Sequence, residues 1–133
     1  ESSAASDVYK RQAATPCPRR HGSRQMPNVT IFIPADKMPA DGRLLELTDQ
    51  CTQLCTGILN AALDNVHVIY VVVRHGRGHP AYAEIKYRSE PFRTKPVMDF
   101  FMKALDDVIE RNTGLTARIR CLGYAESAIH ARN

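Results

Sequence analysis

The chain has 133 residues with 18 Lys or Arg and 14 Asp or Glu, which gives a net charge of +4. Residues 1–25 hold five of the basic and two of the acidic residues, so residues 26–133 carry thirteen against twelve, or +1. This near neutrality argues against a nucleic-acid partner, and no apolar run is long enough to cross a membrane. Four cysteines without a disulfide framework favour a reducing, cytoplasmic location.

Residues 1–25 differ in composition from the rest of the chain. They are biased towards Pro, Arg, Ser and Gln and follow no helical or strand period, so they predict a disordered leader. The run from Ser2 to Gln12 resembles a translated sequencing adapter, and we interpret the leader as non-native or artefactual in preference to a transit peptide. The remaining residues, 26–133, are predicted to form one domain.

The first half of the domain predicts a strand, a helix and a second strand. Val29 to Ile33 is β-branched and aromatic, as is typical of a strand. From about Asp41 to Ile58, apolar residues recur in steps of three and four, which predicts a helix. Asn65 to Val73 is a nearly continuous apolar run and predicts a central strand.

The second half predicts the same succession of elements. Arg74 to Pro80 is rich in Gly and Pro, and despite its two histidines it predicts an exposed turn away from Pro27, with no metal site. Ala81 to Arg88 alternates between apolar and polar residues, as a strand does. A helix is predicted from about Thr94 to Arg111, with Val97 and Phe100 or Phe101 on its apolar face, and Ala117 to Tyr124 predicts the last strand. The nine residues that follow are predicted to be a tail.

The order βαββαβ predicts an α/β (α+β) fold, a four-stranded mixed sheet with two helices on one face. The other face then needs a cover, and a second copy of the chain is the simplest one. RNA-recognition and small-ligand modules share this order. The strand Ala81 to Arg88 has two tyrosines but lacks the glycine that begins the RNA-recognition motif.

Three short segments together resemble the tautomerase superfamily, the group of 4-oxalocrotonate tautomerase and macrophage migration inhibitory factor. They are Met26-Pro27 directly before a strand, Ala40-Asp41-Gly42 at the first helix, and Val66-His67-Val68 at the second strand. The resemblance covers residues 26–124. It implies a fused pair of βαβ units, a homotrimer, a reaction without a cofactor, and an N-terminal proline as the base. The chain departs from macrophage migration inhibitory factor at about Ile58, where that protein has a lysine.

Pro27 is the predicted catalytic residue. If Met26 is the start and is removed, Pro27 carries a secondary amine, and an ordinary α-amino group has a pKa near ~8. Burial and nearby cations favour the neutral form, which can act as a base near pH 7. With residues attached before it, the same nitrogen is an amide without basicity. The alternative is that Pro27 only begins a strand.

Four further residues are expected at the site on the strength of the resemblance. Arg88 and Arg93 resemble the paired arginines that bind substrate carboxylates in the superfamily's malonate semialdehyde decarboxylases and cis-3-chloroacrylic acid dehalogenases. Guanidinium groups suit that task because they donate two parallel hydrogen bonds. His67 aligns roughly with an arginine of 4-oxalocrotonate tautomerase, and Tyr124 is a candidate for a pocket wall that a neighbouring subunit supplies. For both, a packing or interface role stays open.

We therefore predict a cofactor-independent tautomerase, an isomerase that acts on an enolisable 2-oxo or 2-hydroxydienoic acid. Its partners would be a small-molecule carboxylate and two further copies of the chain. One alternative keeps the fold and uses a protonated Pro27 for dehalogenation, hydration or decarboxylation, with Glu126 as a candidate to activate water. Another is a non-enzymatic trimer, or a ligand- or RNA-binding βαββαβ module.

Overall fold

Four strands and two long helices make up the domain, and the computed structural model describes residues 26–133. The predicted leader lies outside the described residues. The elements, in chain order, are β1 (Asn28–Pro34), α1 (Asp41–Gly57), β2 (His67–Val73), β3 (Ala81–Arg88), α2 (Lys95–Thr113) and β4 (Ala117–Tyr124). Short 3-10 turns precede α1 and β2 and follow β4. Neither helix of the described part is both long enough and apolar enough to cross a membrane.

The strands form one mixed sheet in the order β2-β1-β3-β4. β1 is parallel to β2 and β3 is parallel to β4, while β1 and β3 are antiparallel, with Asn28 opposite Lys86. This register brings the starts of β1 and β2 to the same end of the sheet as the ends of β3 and β4. We call this the Pro27 end, and we call the opposite end, where residues 74–80 connect β2 to β3, the loop end. The predicted sheet and its two helices are confirmed.

One face of the sheet packs against both helices. Val29, Ile31 and Ile33 alternate along β1 towards this core, and they face Leu47 and Phe101 of the two helices in one buried cluster. The apolar stripe of α2 agrees with the predicted one: of the alternatives Phe100 and Phe101, Phe101 is the buried residue, and Val97 packs at the edge of the core. Its buried residues are Met98, Phe101, Leu105, Val108, Ile109 and Asn112, whereas Val97 is partly exposed and Phe100 is 61% exposed.

The ends of α2 are fixed by polar groups that the sequence made visible. The Thr94 Oγ1 accepts a hydrogen bond from the Val97 N–H at 3.5 Å, as an N-cap does. Gly114 ends the helix with a left-handed φ of 73°, which a glycine adopts without steric cost. The buried Asn112 donates to Gln50 Oε1 at 2.7 Å, a bond that joins α2 to α1.

The prediction that the second strand is central was wrong, because β2 is an edge strand. It also begins at His67 rather than Asn65, since Asn65 belongs to a 3-10 turn and donates its N–H to the Ala62 carbonyl at 2.9 Å. The apolar run does not mark burial on both faces. Ile69 is 52% exposed, on the face that no helix covers. We call that face, which also carries Phe32 and Tyr82, the open face.

Candidate functional site

Pro27 lies directly before β1 and is fully buried. It continues the inward alternation of Val29 and Ile31 along the strand. Its carbonyl oxygen accepts the backbone N–H of His67, at a nitrogen–oxygen distance of 3.1 Å. This bond to the start of β2 and the burial of the ring together fix the position of Pro27. In the full chain its nitrogen is bonded to Met26, so that nitrogen is an amide.

Arg88 is the last residue of β3 and lies two positions beyond Lys86, the residue opposite Asn28. Its side chain is only 12% exposed. The Nη2 lies 2.9 Å from Glu90 Oε2, and the Nη1 lies 3.6 Å from Glu126 Oε2. The second distance is too long for a hydrogen bond, so Glu126 attracts the guanidinium only through charge.

The Arg88 guanidinium has hydrogen-bonding capacity that the described residues leave unused. Its Nε and Nη1 are both buried, and neither has a hydrogen-bond partner within the described range 26–133. Buried polar atoms without partners are rare because each one costs desolvation free energy. Such a cation is suited to receive an anionic oxygen at Nε or at Nη1, which lie on different edges of the guanidinium.

Arg93 makes contacts of a different kind, although it lies in the same region. Its Nε and Nη2 donate to the Leu59 carbonyl at 3.0 and 2.8 Å, and its Nη1 donates to the Arg88 carbonyl at 2.6 Å. Desolvation lowers its pKa from the usual value, and the carboxylate of Glu90 opposes that shift. All three nitrogens are thus bonded to main chain, which favours a positioning role for Arg93 over substrate binding.

His67 and Tyr124 both lie at the Pro27 end. His67 is opposite Asn28 at the start of β2, and its side chain is exposed. Tyr124 is opposite Arg88 at the end of β4, and its carbonyl accepts the Ser89 N–H at 2.8 Å. The alternation of the strands directs both side chains towards the open face. Pro27, Arg88, His67 and Tyr124 therefore lie at the same end of the sheet. Pro27 continues the core face of β1, whereas the other three are in phase with the open face.

The sequence did not indicate Glu90 as a partner of Arg88, and it offered Glu126 only as a candidate to activate water. Glu90 follows Arg88 by two residues, so a turn after β3 was the only available signal for their contact. Glu126 lies in the segment predicted to be a tail, but the structure places it in a 3-10 turn, Glu126–Ala128. The turn folds back on the end of β3, and nothing in the local sequence pattern reveals that approach.

The loop end carries a depression of the surface. A broad cleft of about 740 Å³ lies there, lined by Pro34 to Lys37, by Val72 to His75 and by Pro80. The His75 Nε2 is 2.9 Å from the Gly78 carbonyl oxygen. Within residues 26–133, no three His, Cys, Asp or Glu side chains are grouped so that they would hold a metal ion. None of the predicted site residues lines this cleft.

The cysteines of the domain are packing residues. Burial raises the pKa of Cys51, Cys55 and Cys121 to about 12. A thiol with so high a pKa has almost no thiolate near neutral pH, and the thiolate is the nucleophilic form. These three cysteines are therefore not candidates for a catalytic nucleophile.

The sequence matches no protein-family model and no curated protein. Solved structures do match it. A macrophage migration inhibitory factor-like protein from Entamoeba histolytica is 12% identical with a TM-score of 0.65, and the match covers 80% of this chain and 95% of that one. A fused 4-OT symmetric trimer is 12% identical with a TM-score of 0.69, covering 80% and 92%. A member of the cis-3-chloroacrylic acid dehalogenase family is 14% identical with a TM-score of 0.67, covering 78% and 79%.

These neighbours are all members of the tautomerase superfamily, but their names indicate different activities. At such low identity they carry over the architecture and neither a substrate nor a catalytic residue. The match spans most of both chains in each case, and it agrees with the sheet order and the two helices described above. The resemblance predicted from Met26-Pro27 and the order of elements is confirmed at the level of the fold: the chain has the βαββαβ fold of the tautomerase superfamily.

Proposed function

We propose that the chain is a cofactor-independent tautomerase that acts on an enolisable 2-oxo acid after removal of Met26. The observation that carries the proposal is the presence, at one end of the sheet, of a buried Pro27 and of a buried Arg88 whose Nε and Nη1 have no hydrogen-bond partner among residues 26–133. A base and a cation with free donors are the two groups that proton transfer next to a carboxylate requires. The superfamily fold supports the same assignment by analogy.

In this mechanism the free imino nitrogen of Pro27 removes a proton from one carbon or oxygen of the substrate and returns it elsewhere on the conjugated system. Burial disfavours the charged form of the amine, which keeps the base available. Arg88 holds the carboxylate and stabilises the negative charge that develops on the enolate oxygen. Arg93 positions Arg88 by donating to its carbonyl at 2.6 Å. His67 and Tyr124 would line the entrance from the open face.

The open face supports a homotrimer as the working assembly. Phe32 and Tyr82 lie at its centre with ring centroids 5.6 Å apart, and Ile69 is 52% exposed beside them on the edge strand. A sheet face with aromatic and aliphatic residues needs a cover, and a second copy of the chain supplies one. One solved neighbour is itself described as a symmetric trimer.

The test compares three forms of the protein. The first starts at Met26, and mass spectrometry reads whether Pro27 has become the terminus. The second is the full 133-residue chain, and the third carries Pro27→Ala. With phenylpyruvate and 2-hydroxymuconate as substrates, we expect kcat/KM to fall by roughly 100-fold or more in the second and third forms, the usual contribution of a general base.

A matched control replaces a proline at the loop end, Pro80→Ala, which leaves the base in place and should keep kcat/KM within about twofold. Turnover by Pro27→Ala at the rate of the unaltered protein would eliminate the mechanism. Activity of the full chain with its leader intact would do the same, because its Pro27 nitrogen is an amide.

A second candidate reaction uses the same fold with a protonated Pro27. The carboxylate of Glu126 beside Arg88 favours it, since a carboxylate can activate water for hydrolytic dehalogenation or hydration. The pH dependence separates the two reactions. Activity that needs neutral Pro27 falls as the pH drops below the pKa of the amine, whereas activity that needs the charged form falls as the pH rises above it.

A further inference from the structure

The carboxylate of Glu126 stands where an anionic ligand of Arg88 would have to enter. The Nη1 of Arg88 is buried and has no hydrogen-bond partner among the described residues. The charged atom facing it is Glu126 Oε2, at 3.6 Å. A ligand oxygen can therefore reach Nη1 only if a covering group moves aside.

The two carboxylates on Arg88 differ in how firmly they are held. Glu90 lies 2.9 Å from Nη2, within hydrogen-bonding distance, and its side chain is 22% exposed. Glu126 is at 3.6 Å, makes no hydrogen bond to Arg88, and is 62% exposed. A carboxylate that is mostly in solvent and forms no hydrogen bond is held weakly, so Glu126 is the partner that can leave.

The segment that carries Glu126 is also lightly attached. It is a three-residue turn beyond β4, whose own hydrogen bonds run from Ala128 N–H to Ala125 O at 2.9 Å and from Ile129 N–H to Glu126 O at 3.0 Å. Both bonds lie within the segment, so the turn can move as a unit without breaking the sheet. The residues of this turn are exposed.

We propose that Glu126 is an internal competitor of the substrate carboxylate: it covers Arg88 in the empty site and is displaced when a carboxylate binds. The inference deepens the proposed function, because it rests on Arg88 as the carboxylate-binding residue. Glu126 thereby sets the affinity and the charge preference of the site. A neutral ligand gains nothing from its departure.

Binding of a probe that cannot react tests this inference apart from catalysis. The probe is 3-phenylpropanoate, which has a carboxylate but no enolisable ketone, and its uncharged counterpart is 3-phenylpropanamide. Calorimetric titration is carried out on the full 133-residue chain and on the chain that starts at Met26. The outcome does not depend on whether Pro27 is a free base, so a failure of the tautomerase proposal would leave this measurement interpretable.

For Glu126→Gln we expect the carboxylate probe to bind about two- to fivefold more tightly, the range that an exposed ion pair represents. The amide probe should bind equally to both proteins. In the Arg88→Met background, the gain in affinity from Glu126→Gln should disappear, because the guanidinium for which Glu126 and the probe carboxylate compete has been removed. Glu46→Gln is the matched control, since Glu46 pairs with Arg43 on the exposed surface of α1, and it should change neither affinity.

Unchanged or weaker binding of 3-phenylpropanoate to Glu126→Gln overturns the proposal, as does equal tightening of the amide. Where the enzyme turns over phenylpyruvate, the same variant should lower the KM for this anionic substrate. If the variant instead loses turnover by roughly two orders of magnitude while its probe affinity is unchanged, Glu126 is a group that takes part in the chemistry and the competitor role is excluded.

Discussion

The two ends of the sheet hold their cationic side chains in opposite ways. At the Pro27 end, Arg88 is 12% exposed and shared between two carboxylates, and Arg93 donates three hydrogen bonds to carbonyl groups. At the loop end, Arg74 and Arg77 are exposed to solvent, beside a cleft of about 740 Å³. The end with this broad cleft is thus the end with the less organised charge.

A broad cleft and an organised cationic group are both indications of a functional site, and in this protein they lie at opposite ends of the sheet. The volume of an open cleft costs the protein nothing, because water fills it. A buried guanidinium with two nitrogens that no residue of the range 26–133 satisfies carries a desolvation cost, and the fold retains it at Arg88. A buried polar group without a partner calls for an explanation, and a ligand that supplies the missing acceptor is one. Equivalent substitutions at the two ends of the sheet test which of them is the functional site.

The largest effect is expected from removing one arginine at each end. Arg88→Met should lower kcat/KM for phenylpyruvate by roughly 10- to 100-fold, since a hydrogen bond to a charged group is worth about 1.5–3 kcal/mol. Arg74→Met, beside the cleft, should change it by less than about twofold. Steady-state kinetics of both variants, on protein that starts at Met26, measures the ratio.

Arg88→Lys keeps the positive charge and is the control for a loss of activity that arises only from misfolding. It should retain thermal stability better than Arg88→Met, which leaves Glu90 without its partner, yet remain impaired because an ammonium cannot bind a carboxylate bidentately. A larger loss from Arg74→Met than from Arg88→Met would reverse the assignment of the two ends and move the candidate site to the cleft.

The fold of this chain was predictable because its elements depend on local patterns. Alternation in β3 and the stripe of α1 each reflect one buried face, and Thr94 and Gly114 fix the limits of α2 through their own backbone chemistry. The sheet end that carries Pro27 followed from the order of elements. The edge position of β2 did not follow, because an apolar run has the same sequence whether its second face meets protein or solvent.

The candidate site was predictable only in part, for a related reason. Pro27 and Arg88 stand at strand ends, so topology alone brings them together. The different tasks of Arg88 and Arg93 depend on which acceptors lie within reach, and those acceptors include the Leu59 carbonyl, 34 residues away in sequence. A contact between residues so far apart in the sequence leaves no periodic pattern from which it could be predicted. Glu126 was named only as a group that could activate water, and its contact with Arg88 has no sequence signal because it approaches from beyond the last strand.

An intermediate effect, on stability rather than catalysis, is expected at Arg93. Arg93→Met removes the side-chain donors to the carbonyl groups of Leu59 and Arg88, and should lower the free energy of unfolding by about 2 kcal/mol. Arg77→Met at the loop end should change it by less than about 0.5 kcal/mol. Urea denaturation at one fixed protein concentration measures both. If Arg93→Met were as stable as Arg77→Met, Arg93 would not be a positioning residue.

The smallest effect is expected from adding one methyl group at each end. A Cβ on Gly123 would lie 2.7 Å from Tyr87 Cζ, whereas a Cβ on Gly76 at the loop end would meet nothing within 4 Å. Gly123→Ala should cost about 1 kcal/mol, because overpacking of roughly 1–3 kcal/mol exceeds the gain of about 0.5–1 kcal/mol from replacing glycine in a strand. Gly76→Ala should be neutral in the same urea titration. In a Tyr87→Ala background the ring is absent, and Gly123→Ala should become neutral or stabilising. If Gly123→Ala cost as much there as in the unaltered protein, a clash with the Tyr87 ring would not be its cause.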